Sequence, residues 1–221
     1  PELSRGLGDV YKRQIGYGLS NQAIKDTPNK GDKIVVLGGD NYRIGMGGAA
    51  VSSADTGEFS KGIELNAVQR SNPEMQKRVA NAIRGMVESN NNSIVSIHDH
   101  GAGGHLNCLS ELVEEVGGKI DLDMLPIGDP TLSDKEIIGN ESQERMGLII
   151  DPNDLNLLNK IADRERAPIY VVGTITNDKR FTIKSKSKGN TPLDLSLDNF
   201  FGSSPQTVMK DNKKIINYSS I

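Results

Sequence analysis

The sequence has few of the residues that mark several classes of protein. It contains one cysteine and no tryptophan, and aromatic residues make up only 4% of its 221 positions. A single thiol cannot form an internal disulfide, which favours a reducing compartment such as the cytoplasm. So few aromatic side chains argue against a stacking surface for single-stranded nucleic acid.

The sequence also has no excess of one charge and no long apolar run. The formal net charge is −3 and both signs are mixed along the chain, so no basic face for DNA or a membrane is indicated. No apolar run approaches the roughly 20 residues of a membrane span, and no signal-peptide core is visible. We therefore expect a cytoplasmic protein that binds neither nucleic acid nor a membrane.

Composition divides the chain into three parts. Residues 1–14 show no helical or strand periodicity and resemble translated adaptor sequence, so we exclude them as a non-native leader, although a native leader is the alternative. Residues 15–205 are long enough to bury the core of one large domain. Residues 206–221 are polar and are predicted to form a loose tail. Because the chain does not begin with Met, we expect a piece of a longer protein.

Strands and helices alternate along residues 15–205. Short β-branched runs predict buried strands, and apolar residues at helical spacing predict helices. We also predict that the strands at 168–175 and 180–184 form a hairpin across Asn177 and Asp178. This order predicts an α+β fold with helices packed against a mixed sheet. The other predicted strands lie at 33–37, 93–98, 119–125, 146–150 and around Leu193, Leu195 and Leu197, and the helices at 73–88, 106–116, 131–138 and from 151 through 162.

The stretch from Asn92 to Val116 organises the chain. It predicts a strand, a glycine-rich turn that begins His98-Asp99-His100, and a helix. Ligands of α/β proteins collect beyond the carboxyl ends of strands, and the free N–H groups at the start of a helix favour anions. Asp99 is negatively charged, so it would not attract the anion itself. It suits a cation that accompanies the anion. A magnesium ion bound to a phosphate is the obvious candidate.

Other polar and reactive residues have structural interpretations that we prefer. His98 and His100, at the end of a strand, are more often packed residues than general bases. Cys108 lies within a predicted helix and is favoured as a small buried side chain rather than a nucleophile. The pair Asp121 and Asp123 predicts the solvated face of a strand, with a metal site as the alternative.

The glycine-rich stretch Gly45–Ser53 matches neither of two known nucleotide-binding patterns. A phosphate loop requires a lysine after its last glycine, and a dinucleotide fingerprint requires a third glycine at a fixed spacing. Close backbone packing and the approach of a ligand therefore remain equal alternatives for these glycines.

Three segments, taken together, resemble the phosphoribosylformylglycinamidine synthases. They are Val68–Gln76, Ile97–Gly104 and Asn140–Arg145. The glycines Gly38-Gly39 and the stretch Gly45–Ser53 are similar to the same family. The match extends over residues 15–205 in order and spacing, and Gly-Ala-Gly-Gly after His100 resembles the large single-chain form. The resemblance implies the C-terminal domain of the first synthetase half. It also implies a three-layer α/β/α fold with a mixed sheet, like that of the aminoimidazole ribonucleotide synthetase superfamily.

The resemblance implies an ATP-dependent ligase of purine biosynthesis that converts formylglycinamide ribonucleotide to formylglycinamidine ribonucleotide. The implied partners are that ribonucleotide, ATP, ammonia from a glutaminase domain and companion domains of the same enzyme. Asp99 resembles the family's Mg²⁺ ligand, and Gln69, Glu141, Ser142 and Gln143 resemble its substrate-binding residues. No catalytic residue is implied, because the family's catalytic histidine, its ATP-holding groups and its glutaminase lie outside this region. We therefore expect this chain alone to be inactive.

Two other functions remain open. The chain could be the equivalent domain of a related ATP-using enzyme such as aminoimidazole ribonucleotide synthetase, although Asn140–Arg145 argues against this. It could instead be a non-catalytic structural domain that buttresses a partner.

Overall fold

The structure of the chain is a computed structural model that describes residues 25–47, 50–51, 53–69, 72–89 and 92–202. The predicted leader and tail lie outside these ranges. Within them, seven strands form one sheet in the order β2-β4-β1-β5-β3-β6-β7. The strands are β1 (Lys33–Gly38), β2 (Ile94–Asp99), β3 (Gly118–Asp121), β4 (Arg145–Ile150), β5 (Ile169–Ile175), β6 (Arg180–Ser185) and β7 (Asn190–Ser196).

The sheet is mixed, as the sequence predicts. The interior strand β1 pairs antiparallel with both β4 and β5. β2 pairs antiparallel with β4, and β3 pairs antiparallel with β5. β3 and β6 form the parallel pair, and β6 then pairs antiparallel with β7.

Helices cover both faces of the sheet and give it two cores. Along β1, Val35 and Leu37 face the layer that contains α2 and α5, whereas Ile34 and Val36 face the other core, which includes residues of α3 and α4. This arrangement confirms the expected three-layer α/β/α fold. None of the helices in the described ranges has the length and apolar character needed to cross a membrane. The helices are α1 (Lys61–Leu65), α2 (Pro73–Val87), α3 (Gly104–Leu112), α4 (Asp134–Gly139), α5 (Leu155–Glu165) and α6 (Leu197–Phe201).

Side-chain caps determine where two helices begin. The side chain of Asn72 accepts a hydrogen bond from the N–H of Met75, and Pro73 occupies the first turn of α2, as predicted. Ser133 and Glu136 form a reciprocal capping box, so α4 begins at Asp134 with the cap at the residue that the sequence predicts.

Helix α5 begins at Leu155, four residues after the start at Asp151 that the sequence predicts. The carboxylate of Asp151 accepts a hydrogen bond from the N–H of Asn153 at 2.7 Å, and the carbonyl of Asp151 accepts one from the N–H of Asp154. These bonds close a turn that includes Pro152, and the first helical residue is therefore Leu155.

The predicted strand at 119–125 is only half correct. The sheet pairing of β3 ends at Asp121, and residues Leu122–Met124 form one turn of 3₁₀ helix. The Asp121 side chain accepts a hydrogen bond from the N–H of Asp123 at 3.2 Å, which turns the chain out of the sheet. Leu122 is consequently buried and Met124 is exposed, whereas strand alternation would place both on one face.

The predicted hairpin between β5 and β6 is wrong, because β3 lies between these two strands. The connecting turn passes over the start of β3. Thr176 N–H donates to the carbonyl of Gly117 at 3.1 Å, and Lys179 N–H donates to that of Val116 at 3.1 Å. Leu197, predicted to extend the last strand, instead begins α6 and is buried.

The carboxylate of Asp123 holds the turn between β6 and β7, and we predict that it makes stability depend on pH. It accepts hydrogen bonds from the N–H groups of Lys186 and Ser187 and from the hydroxyl of Ser185. The Ser187 N–H contributes most to lowering the pKa of Asp123 to about 2 from an ordinary value of 3.8. This stabilisation is therefore complete above the unfolded pKa and is lost as the pH falls through about 2.

Urea unfolding of the chain between pH 5 and pH 2 measures this effect. Asp123→Asn should remove part of the fall in the unfolding midpoint, whereas Asp163→Asn, at an exposed carboxylate on α5, should leave that fall unchanged. Equal pH profiles for the Asp123 variant and the wild type would contradict the assignment.

Candidate functional site

The candidate site lies at one edge of the sheet, where three neighbouring strands end or begin. Gly38 at the end of β1 is paired with Arg145 at the start of β4. Asp99 at the end of β2 is paired with Met146 on the other side of the same strand. The segments that follow β1 and β2 and the segment that precedes β4 therefore meet at this edge.

Two of the segments predicted from the sequence are joined by backbone hydrogen bonds. The N–H of Gln69 donates to the carbonyl of Glu141 at 2.9 Å, and the N–H of Gln143 donates to the carbonyl of Gln69 at 3.2 Å. Gln69 and Ser142 thus form a short parallel bridge outside the main sheet. Gln69, Glu141 and Ser142 are buried, and Gln143 is half-buried. The structure thereby brings all four predicted substrate residues together.

The side chain of Gln69 is used in contacts within the chain. Its Oε1 accepts a hydrogen bond from the N–H of Tyr42 at 3.2 Å, and its Nε2 donates to the carbonyl of Asp40 at 2.9 Å. Gln69 therefore fastens the loop after β1 to the segment Glu141–Gln143. The Nε2 of Gln143 donates to Oε1 of Glu141 at 3.0 Å, so this amide is also held in place.

Glu144 connects several parts of the site, and sequence reasoning missed it. Its Oε1 accepts a hydrogen bond from the N–H of Asn72 at 2.9 Å. Its Oε2 lies 3.2 Å from the hydroxyl of Ser142 and 3.5 Å from Nε2 of Gln69. The sequence signal that could have identified Glu144 is a carboxylate directly before a buried strand. A carboxylate is buried in a protein only when other groups bind it, so such a residue is expected to have partners. Glu144 holds two predicted substrate residues against the start of α2.

Asp99 lies at the rim of the site and faces solvent. Its side chain is 75% exposed. No group of three or more His, Cys, Asp or Glu side chains that could hold a metal occurs in the described ranges. A single carboxylate still suits Mg²⁺, which is commonly held by one or two carboxylates together with water and substrate phosphates. The position of Asp99 is therefore compatible with its predicted role as a ligand of a magnesium ion that is shared with a nucleotide.

His98 and His100 have different environments, although both flank Asp99. His98 is partly exposed, and its Nε2 contacts the carboxylate of Glu111 on α3. His100 is 2% exposed and lies against a second buried histidine, His105. Burial and then the charge of Arg145 hold the pKa of both His100 and His105 well below 6.5, so both are neutral at pH 7.

Arg145 lies beneath the site as a buried cation. It is 2% exposed, and its Nη1 lies 2.9 Å from Nε2 of His105 while its Nη2 donates to Oδ1 of Asn41. Burial lowers its pKa to about 10, opposed by the nearby carboxylates of Glu144 and Asp40, so the guanidinium remains charged at neutral pH.

Cys108 occupies the core as a small buried side chain. Its thiol donates to the carbonyl of His98 at 3.5 Å, and burial raises its pKa above the ordinary value. A thiol that resists ionisation is a poor nucleophile. This environment agrees with the preferred interpretation from the sequence.

Glycines allow the backbone at 140–141 to approach two other segments closely. Gly45 has φ +79°, and a Cβ at this position would lie 2.2 Å from the carbonyl oxygen of Glu141. Gly104 has φ +58°, and its Cβ would lie 2.1 Å from the carbonyl oxygen of Asn140. Close backbone packing is therefore the role of Gly45, while Gly48 and Ala49 lie outside the described residues.

We predict that Gly104→Ala destabilises the chain by more than about 2 kcal/mol, because left-handed backbone and a clash with Asn140 act together. Gly139→Ala is the matched control, since a Cβ at Gly139 meets no atom within 4 Å. Urea unfolding of both variants measures the difference. Equal losses of stability in the two variants would contradict the explanation that a Cβ at Gly104 clashes with Asn140.

A family model and curated relatives match this chain. Residues 29–186 match the model described as AIR synthase related protein, C-terminal domain. Phosphoribosylformylglycinamidine synthase of Saccharomyces cerevisiae is 43% identical over 211 residues, which cover 93% of this chain and 16% of the yeast protein. The Dictyostelium discoideum protein of the same name is 41% identical and is matched over 86% of this chain and 14% of its own length. The chain therefore spans about one sixth of the yeast relative.

Solved structures from Thermotoga maritima share the fold. The structure described as T. maritima PurL complexed with FGAR has a TM-score of 0.71 and 26% identity, and the match covers 87% of this chain and 31% of that one. T. maritima PurL complexed with ATP has a TM-score of 0.65 at 22% identity, covering 89% of this chain and 30% of that one.

Proposed function

Because this chain belongs to the AIR synthase related C-terminal domain family, and within it to the phosphoribosylformylglycinamidine synthases, we propose that it forms one wall of the active site of such an enzyme. The observation that carries this proposal is the joining of Gln69 to Glu141 and Gln143 by backbone hydrogen bonds, at the sheet edge where Asp99 also lies. Three motifs that are separate in the sequence thereby meet at one edge of the sheet.

The proposed reaction joins formylglycinamide ribonucleotide, ATP and ammonia to give formylglycinamidine ribonucleotide. The amide oxygen of the substrate is phosphorylated, and ammonia then displaces phosphate. Magnesium held by Asp99 would neutralise charge on the nucleotide phosphates. The solved structure of the T. maritima relative is described as a complex with FGAR, which supports this choice of substrate.

The side chains of Glu141, Ser142 and Gln143 would bind the ribonucleotide. Carboxylate, hydroxyl and amide groups can pair with ribose hydroxyls and with the substrate amide. Neighbouring carboxylates at Glu141 and Glu144 would repel a phosphate, so the substrate phosphate is expected to be held elsewhere. Gln69 would act by holding this segment in place and by contacting the substrate.

Companion domains are part of the proposal. Three candidate nucleophiles or bases near the site are not available to a substrate: His100 and His105 are buried, and Cys108 resists ionisation. We therefore propose that the remaining catalytic groups, and a glutaminase that supplies ammonia, come from other parts of a cytoplasmic enzyme. Exposed large apolar side chains suit burial against such a domain, among them Tyr42 (50%), Ile63 (49%) and Leu65 (70%).

A chimera tests the proposed function. In the yeast synthase, the matching 16% of the protein is exchanged for this chain, and the purified product is assayed with ribonucleotide, ATP, Mg²⁺ and ammonium ion. We expect turnover by the chimera and none by the isolated chain. A soluble, folded chimera without activity would contradict the proposed role, and turnover by the isolated chain would contradict the need for companion domains.

A further inference from the structure

Three buried side chains beneath the site form a continuous row of hydrogen bonds. Nη1 of Arg145 lies 2.9 Å from Nε2 of His105, and Nδ1 of His105 lies 2.9 Å from Nε2 of His100. The two imidazole rings meet edge to face, with centroids 4.8 Å apart and an interplanar angle of 88°. All three residues are at most 2% exposed. We call this row the Arg–His–His relay.

The chemistry of the donors determines where each proton lies. A guanidinium can only donate, so Nε2 of His105 must accept the hydrogen bond from Arg145. A neutral His105 then carries its proton on Nδ1 and donates to Nε2 of His100. His100 must accept at Nε2 and carry its own proton on Nδ1. The charge of Arg145 thus sets the tautomer of both histidines, one after the other.

The relay connects the segments that carry the candidate site. Arg145 is the last residue of the predicted Asn140–Arg145 motif, and its backbone carbonyl accepts a hydrogen bond from the N–H of His100 at 3.2 Å. Its Nη2 donates to Asn41, on the loop that follows β1. His100 directly follows Asp99, and His105 lies in the first turn of α3.

Packing alone does not account for this arrangement. Nε of Arg145 is buried and has no hydrogen-bond partner within the described part of the chain. A buried donor without a partner opposes folding, and an apolar residue of similar size would avoid that cost. The relay is therefore present despite its cost to stability, which indicates a role in the site above it.

We propose that Arg145 is a positioning residue which acts through His105 and His100 to hold the Asp99 turn at a fixed distance from Glu141–Gln143. This inference rests on the proposed function, because it assigns the magnesium ligand and the substrate residues to the two sides that the relay joins. The relay does not touch the substrate. It keeps the Asp99 turn and the segment Glu141–Gln143 at a fixed relative position while the reaction proceeds.

Two substitutions at His100 separate positioning from packing. In His100→Gln, the amide oxygen can accept the hydrogen bond from Nδ1 of His105 and so preserves the relay. In His100→Leu, the volume is largely retained but the acceptor is lost. Ser110→Ala is the control, since Ser110 is equally buried on α3 but bonds only within that helix, to the carbonyl of Asn107.

The variants are compared in the chimeric synthase at equal concentrations of folded protein. We expect His100→Leu to lower kcat about 10²-fold with KM values for the ribonucleotide and ATP changed less than about threefold, because a small displacement of aligned groups slows the chemical step. His100→Gln should stay within about fivefold of wild type and Ser110→Ala within about twofold. Equal kcat values for the Gln and Leu variants, or for the Leu and Ser110 variants, would overturn the proposal.

Hydrogen exchange of the same proteins gives a readout that needs no activity. His100→Leu should raise amide exchange in residues 100–103 and 141–143 together, whereas His100→Gln and Ser110→Ala should not. Unchanged exchange in His100→Leu would overturn the relay even in an inactive chimera. An inactive wild-type chimera with the expected exchange pattern would instead contradict the proposed function and leave the relay standing.

Discussion

Changing Asp99 to asparagine should lower kcat of the complete synthase on the order of 10²-fold or more. Asparagine keeps the shape of the side chain but removes the charge that a magnesium ion requires, and electrostatic stabilisation by a bound metal is worth several kcal/mol in a transition state. The Asp99 side chain is 75% exposed, so its replacement should leave folding unaffected. The loss is thus expected in activity and not in stability.

Steady-state kinetics of the chimera at increasing Mg²⁺ measure this effect, together with the urea midpoint. The Asp99 variant should require more Mg²⁺ for half-maximal activity than the wild type. Asp163→Asn, the same change at an exposed carboxylate on α5, should behave as wild type. If Asp99→Asn cost less than about threefold, the chain would be better described as a structural domain that buttresses a partner.

Changing Glu144 to glutamine should weaken substrate binding, because this carboxylate holds two of the predicted substrate residues in place. The carboxylate of Glu144 accepts hydrogen bonds from the N–H of Asn72, the hydroxyl of Ser142 and the amide of Gln69. An amide presents one oxygen and one NH₂ group, so at least one buried donor loses its acceptor. Such a loss costs about 1–3 kcal/mol, and the predicted substrate residues Gln69 and Ser142 lose a contact that holds them in position.

The result should appear mainly in one kinetic constant. We expect KM for the ribonucleotide to rise about tenfold or more, at about 1.4 kcal/mol for each factor of ten, while KM for ATP stays nearly constant. The control is Glu165→Gln at the end of α5, where the carboxylate accepts a hydrogen bond from Asn81 but lies outside the site. An equal change in both KM values would show that Glu144 supports the domain in general.

Local sequence signals predicted most individual elements because the responsible contacts are local. The cap from Asn72 to Met75 and the box between Ser133 and Glu136 each span three residues. The pairing of strands was not predictable in the same way. A short turn at Asn177 suggested a hairpin, but whether β3 inserts between β5 and β6 depends on residues far apart in the sequence.

The same distinction applies to the site. Asp99 was predicted from a strand, a glycine turn and a helix, and the segment Glu141–Gln143 from motifs that resemble a known family; the structure places them at one sheet edge. The supporting residues were missed because their partners are distant in sequence. Arg145 contacts His105 from 40 positions away and Asn41 from 104 positions away, and no periodicity or spacing reports such contacts.

The position of β4 between β1 and β2 has a consequence for synthesis on the ribosome. β1 and β2 are made first, yet neither pairs with the other, because both need β4 as their neighbour. A nascent chain that has not yet emerged past Ile150 must therefore keep two apolar strands unpaired, a condition that invites aggregation. Translation of roughly 50 residues at about 5–20 residues per second separates β2 from β4, a delay of several seconds. A chaperone bound during that interval would protect the strands until the edge that carries Asp99 and Arg145 can assemble.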